Sequence, residues 1–216
     1  MYKACIFDID GTLIDSVQSI AYVANTVLTT YGLAPQPVAD YNYFAGEGAD
    51  QLMRRCLRAA GDTDLVHYEE GRVLYRDLFA QNPSYKTEVY PGMAQTVMEL
   101  KRRSMKLGVC SNKPHLAAIG VVEHFFANDV FAAIQGQQEG IPRKPDPAIL
   151  LRMLAQFGVA AEECIYVGDT KTDMLTGQAA GAYTVGVTWG FRGREELEEY
   201  HADRIIDRPQ ELLEIE

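Results

Sequence analysis

Lys3-Ala4-Cys5-Ile6-Phe7-Asp8-Ile9-Asp10-Gly11-Thr12-Leu13-Ile14-Asp15-Ser16 passes from an apolar run straight into a cluster of acids. Residues 4–7 are of strand length, and they meet polar and glycine residues abruptly. Asp8 and Asp10 bracket Ile9, so in an extended chain both carboxylates point the same way. Gly11 permits a tight turn, and Asp15-Ser16 offers an N-cap for a following helix. Two aspartates at a strand end, beside a glycine turn with free amides, suit a hard cation and a phosphate. One aspartate can attack phosphorus while its neighbour moves protons. The plainer reading of the same residues is a buried strand with a polar exit turn.

Outward from this stretch, the pattern predicts a helix over residues 17–31, stopped by Gly32-Leu33-Ala34-Pro35-Gln36-Pro37. From there to about Lys86 the periodicity is helical, with no convincing strand. Leu52, Met53, Cys56, Leu57 and Ala60 mark one apolar face, and residues 64–79 form another amphipathic stretch closed by Asn82-Pro83. This all-helical block, residues 16–86, reads as a cap inserted into a core made of residues 1–15 and 87–216. Strand and helix patterns then alternate: strands are expected at 106–110, 132–135, 164–167, 183–187 and 203–206, with a terminal helix after Pro209. Lys101, Arg102 and Arg103 suit the C-terminal end of a helix. The alternation predicts an α/β fold, a doubly wound, Rossmann-like parallel sheet with helices on both faces. Ligands of such sheets bind beyond the carboxyl ends of the strands, and the clusters at Asp8–Asp10, Ser111–Asn112, Lys144 and Asp169–Asp173 fall at such ends or just after them.

The 216 residues are 47% hydrophobic and 23% charged, the composition of an ordinary soluble globular protein. A net charge of −10 argues against nucleic acid or an acidic membrane surface as partner. Cys5, Cys56, Cys110 and Cys164 are widely spaced and form no C-x-x-C pair, so buried reduced thiols are expected rather than a disulfide framework. No run approaches the ~18 apolar residues of a membrane span, and the first residues reach Asp8 too soon for a secretory signal. The chain reads as cytoplasmic. The four histidines are scattered, with no metal-ligand spacing, and Trp189 is expected to pack locally.

Three further clusters carry chemistry. Ser111 and Asn112 close a strand and offer short-range hydrogen-bonders to a phosphoryl oxygen, although a strand ending in Ser-Asn is also an ordinary turn. Lys144 lies among Pro142, Pro145 and Pro147, where it suits charge developing on a phosphate, or is simply a solvated loop lysine. Asp169 and Asp173 follow an apolar strand through Gly168 and can complete an oxygen shell for Mg²⁺; Asp169 suits a helix N-cap equally. Together, D8-I-D10-G-T, S111-N112, K144-P145 and G168-D169-x₃-D173 resemble, in order, the four motifs of the haloacid dehalogenase-like phosphohydrolases. The resemblance spans nearly the whole chain, with the helical insertion where that family carries a cap.

The resemblance implies Asp8 as the nucleophile that forms an aspartyl-phosphate and Asp10 as general acid/base. It implies Mg²⁺ held by Asp8, the backbone carbonyl of Asp10 and Asp169, with Asp173 ligating or close behind. Ser111 and Lys144 are then the phosphate clamp, assisted by Asn112, with Gly11 and Thr12 on the substrate side. Two motif aspartates together favour phosphate ester hydrolysis over dehalogenation. Gly46-Glu47-Gly48-Ala49-Asp50, Asn112-Lys113-Pro114 and the stretch from Gly186 to Glu195 are similar to the phosphoglycolate phosphatase branch, which implies a small phosphorylated metabolite, 2-phosphoglycolate, as substrate. A glycine loop leading into a helix suits a carboxylate, Glu47 counts against one unless it turns outward, and Arg54, Arg55 and Arg58 lie opposite the apolar face. A pyrophosphatase, a sugar-phosphate phosphatase and a β-phosphoglucomutase-like enzyme share the pattern, although Thr12 leans against the mutase. A non-catalytic phospho-acceptor domain is the reading from another class, and it lacks the D-x-D-G-T opening and the helical insertion.

Overall fold

In the computed structural model, which describes residues 1–81 and 84–216, the chain runs β1 (Ala4–Phe7), β2 (Ile14–Asp15), α1 (Val17–Thr30), α2 (Tyr41–Phe44), α3 (Ala49–Ala59), α4 (Tyr68–Gln81) and β3 (Glu88–Val89). It continues through α5 (Met93–Arg102), β4 (Lys106–Pro114), α6 (His115–Phe125), β5 (Ala133–Gln137), α7 (Ala148–Phe157), β6 (Cys164–Gly168), α8 (Lys171–Ala180), β7 (Tyr183–Val187), α9 (Arg194–Glu199) and β8 (Arg204–Ile206). Six strands form one parallel sheet in the order β5-β4-β1-β6-β7-β8.

β1 is uniformly apolar because it is covered on both faces and paired on both edges, with Phe7 opposite Val109 on one side and Val167 on the other. Cys5 and Phe7 face Met93 and Val97 of α5 and Val121 of α6. Ala4 and Ile6 face Leu150, Met153 and Phe157 of α7. The strand order reverses around β1, so the ends of β1, β4 and β6 converge at the crevice where such sheets bind ligands.

The helical insertion leaves and rejoins the core through a two-stranded antiparallel ribbon, Ile14 opposite Val89 and Asp15 opposite Glu88. Its helices share a buried cluster, including Val27, Leu28, Met53, Leu57, Tyr75 and Phe79, which Phe191 of the core joins. No helix among the described residues is long and apolar enough to cross a membrane. All four cysteines are buried and free.

Several local expectations change. Ser16 occupies the N-cap position of α1 without capping it, because its hydroxyl donates to Asp10; the Val17 amide is taken by Asp15 instead. β4 does not end at Cys110 but continues to Pro114, with an irregular register that lets Pro114 lie opposite Gln137. The segment after Pro209 forms a 3₁₀ helix, and the six-residue α9 adds a helix that periodicity does not reveal. The expected stop at Asn82-Pro83 lies outside the described residues.

Candidate active site

Asp8 is the first residue past β1, and its amide donates to Val167 O at 2.9 Å. The chain then turns, with the amides of Thr12, Leu13 and Ile14 all donating to Ile9 O and that of Gly11 to Ile14 O. Gly11 has φ +85°, and a Cβ there would lie 2.1 Å from Asp169 Oδ2, so only glycine fits. Asp10 accepts the Ser16 hydroxyl at 2.6 Å and the Lys113 ammonium at 2.8 and 2.9 Å, one contact to each carboxylate oxygen.

Lys144 reaches the same point from the proline loop. Its ammonium lies 3.0 Å from Asp8 Oδ1 and 2.7 Å from Asp173 Oδ1, and it donates to Cys110 O at 3.1 Å. Asp173 sits in the first turn of α8, where its other oxygen accepts the amide and hydroxyl of Thr170 at 3.1 and 2.8 Å. Asp169 accepts the Thr12 hydroxyl at 3.1 Å and the Phe191 amide at 2.8 Å. The Thr12 side chain is thereby turned to Asp169 and away from the cavity described below.

The carboxylates of Asp8, Asp169 and Asp173 bring oxygens within 4.8 Å of one another, all buried. Burial pushes the Asp8 carboxyl up to about 6 despite Lys144, with Asp173 and Asp10 adding to the rise. Burial, then Asp173 and Asp8, push Asp169 well above the carboxylate range. Burial alone would lower Lys144, but Asp173 and Asp8 hold its ammonium charged. Asp8 Oδ1 is buried, and the Lys144 ammonium 3.0 Å away is out of hydrogen-bond alignment with it. When all four acids are ionised, Asp10 included, they face two ammonium groups, Lys113 and Lys144, and the deficit equals one divalent cation. All-oxygen donors and an under-satisfied carboxylate oxygen fit a hard cation of the Mg²⁺ type.

A cavity of ≈ 200 Å³ opens between this cluster and the insertion, lined by Asp8, Asp10, Ser111, Asn112 and Lys113 below and mainly by apolar side chains above. Asn112 ties the floor together: its side chain accepts from the Lys144 amide at 2.9 Å and donates to Lys144 O at 3.1 Å and to Gly46 O at 3.2 Å. Gly46, Gly48 and Ala49 line the cavity. Glu47 turns away to Arg55 at 2.6 Å. Arg54 lies over the Tyr68 ring, Arg58 is exposed, and neither these two nor Arg55 lines the cavity.

The structure therefore gathers Asp8, Asp10, Ser111, Asn112, Lys144, Asp169 and Asp173 at one place, with Gly11 and Thr12 as the turn against Asp169. It adds residues to which the sequence assigned no role at the site. Lys113 joins because β4 continues past Ser111, and two residues along a strand return to the same face. Trp189 donates to Thr12 O at 3.1 Å, bracing the Asp8–Asp10 turn rather than packing only locally. Arg192, almost fully buried, donates to Ala45 O at 3.3 Å and so links the loop after β7 to the insertion.

Known proteins are similar to this chain over nearly its whole length. The haloacid dehalogenase-like hydrolase family model matches residues 5–187. Phosphoglycolate phosphatase 1 of Pseudomonas aeruginosa is 30% identical over 98% of this chain and 78% of its own length. The phosphoglycolate phosphatase of Rhodospirillum rubrum is 34% identical over 96% of this chain and 88% of its own. A crystal structure from Haemophilus somnus, described as a predicted phosphoglycolate phosphatase, superimposes with a TM-score of 0.92 at 25% identity, over 99% and 97% of the two chains. With the fold, the order of the four motifs and their convergence all in agreement, this chain belongs to the haloacid dehalogenase-like hydrolase family.

Proposed function

We propose that the protein is a cytoplasmic Mg²⁺-dependent phosphomonoesterase that acts through an aspartyl-phosphate on Asp8, with 2-phosphoglycolate as substrate. The observation that carries the reading is the position of Asp8. Its Oδ1 lies 3.0 Å from the Lys144 ammonium but out of hydrogen-bond alignment with it, and Asp8 and Asp10 both line the cavity.

Asp8, the carbonyl of Asp10 and Asp169 would hold the cation. Both oxygens of Asp173 are engaged by Lys144 and Thr170, which supports a role in holding Lys144 rather than in direct ligation. When bound, Mg²⁺ supplies the positive charge that allows a carboxylate to approach a phosphate dianion. Asp8 attacks phosphorus and the ester P–O bond breaks, while Asp10 gives its proton to the departing alkoxide. Asp10, now a carboxylate, takes a proton from the water that attacks the aspartyl-phosphate, and the P–O bond to Asp8 breaks to release phosphate. Ser111 and Lys144 hold the transferring group, Asn112 keeps the Lys144 loop in place, and the Gly11–Thr12 turn borders it.

Residues 16–86 act as the cap that encloses a small phosphorylated metabolite and excludes water. The small cavity and the relatives' names support 2-phosphoglycolate, and four free buried thiols support a reducing compartment. Phosphate release is the test, with 2-phosphoglycolate, pyrophosphate and several sugar phosphates supplied with Mg²⁺ or with EDTA. Mg²⁺-dependent preference for 2-phosphoglycolate is expected. Preference for another ester discards the substrate and keeps the chemistry, and no release from any ester overturns the reading.

A further inference from the structure

Of the two buried lysines at the site, Lys144 is committed to the acid cluster by Asp8, Asp173 and Cys110 O. Lys113 is placed differently. Its side chain is 4% exposed, it lines the cavity, and among the described residues its ammonium is held by one, Asp10. Above it, the Phe79 ring of α4 lies 4.5 Å from Nζ, so the ammonium sits at the seam between core and insertion. The other cation on the cavity wall, Arg76, is paired with Asp50 at 2.8 Å and is half exposed. Most of the remaining upper wall is apolar, with Ile20, Leu52, Tyr75 and Phe79. An anionic group on the leaving side of a substrate would meet Asp10 and apolar side chains, both unfavourable, unless an ammonium stood between them.

We propose that Lys113 is the specificity residue of the site: its ammonium binds the carboxylate of a short phosphorylated acid while still contacting Asp10, and so sets the ester oxygen beside the general acid. This deepens, and rests on, the phosphomonoesterase reading. An ammonium has three donors and Asp10 uses two, which leaves one for a second anion. An ester without the carboxylate leaves that donor idle. Discrimination therefore falls between phosphorylated acids and phosphorylated alcohols of equal length.

The test compares 2-phosphoglycolate with 2-hydroxyethyl phosphate in the wild type, Lys113→Met and Lys113→Arg, all with Mg²⁺. Wild-type kcat/KM is expected to favour the acid by on the order of 10²-fold or more, as for a buried charged contact. Lys113→Met should lose most of that preference, and Lys113→Arg should keep a part of it. Because Lys113 also positions Asp10, inhibition by 3-phosphonopropionate against propylphosphonate gives a readout without turnover. The carboxylate-bearing analogue should lose its advantage in Lys113→Met alone. Equal losses for both esters, with the inhibitor preference unchanged, would make Lys113 a positioning residue for Asp10 only and overturn the proposal. A wild type that hydrolyses both esters equally overturns it while sparing the phosphatase reading; hydrolysis of no monoester overturns both.

Discussion

Lys144 and Asp173 form an ion pair at 2.7 Å in which each side chain is only 1% exposed. Such a pair is expensive to break, because the surviving partner is left charged in a medium that solvates it poorly. Lys144→Met removes the ammonium that faces three clustered carboxylates. The expected result is a loss of about 3–5 kcal/mol in stability, seen as a fall in Tm of roughly 10 °C for a chain of this size. Mg²⁺ should recover part of it by supplying charge to the same cluster. A melting curve that is unchanged without metal would show that the pair does not hold the loop.

Asp8→Asn should abolish phosphate release and leave a folded protein. The Asp8 carboxyl is raised by burial to about 6 from an ordinary 3.8. Its ionised form therefore opposes folding, and the stability it contributes at low pH is lost as pH rises through about 6. The neutral variant is predicted to melt no lower than wild type at pH 7.5 without metal. A large fall in Tm there would contradict the electrostatic account of the site.

Metal binding should be linked to protons. Burial, first, raises both Asp8 and Asp169, and cation ligation needs both as carboxylates. Affinity for Mg²⁺ is expected to climb as pH rises through about 6, with release of protons in calorimetry run in buffers of different ionisation enthalpy. Affinity that stays flat between about pH 5 and 7.5 would count against ligation by this cluster.

Asn112→Ala removes the contacts that join the Lys144 loop, the end of β4 and Gly46. Leaving the buried Lys144 amide without its acceptor should cost about 1–3 kcal/mol. Losing the contact to Gly46 should raise KM more than it lowers kcat, since the Gly46 loop of the helical insertion is released from the floor of the cavity. The steady-state constants and a denaturant midpoint check both parts.

Much of this was readable from the chain because parallel strands covered on both faces appear as apolar runs, and their carboxyl ends appear as abrupt changes to polar residues. Ala4 to Phe7 and Cys164 to Val167 show the rule, and Asp8 and Asp169 follow from it. The contacts that escaped depend on partners outside the local helix or strand pattern. Ser16 gives every local sign of an N-cap, yet Asp10 lies closer to its hydroxyl than a helix amide does. Lys113 reads as part of a turn until Gln137 is seen to extend the pairing of β4. Ile14–Asp15 and Glu88–Val89 pair over two residues each, too few to produce a period.

In the proposed reaction Asp8 carries the phosphoryl group. Acid quenching during turnover of 2-phosphoglycolate, followed by borohydride reduction and peptide mapping, tests it most directly, because an aspartyl-phosphate is reduced to homoserine. Homoserine is expected at position 8, in larger yield in Asp10→Asn, where hydrolysis of the intermediate is slowed. Turnover with an unmodified position 8, or with homoserine at another aspartate, would contradict it.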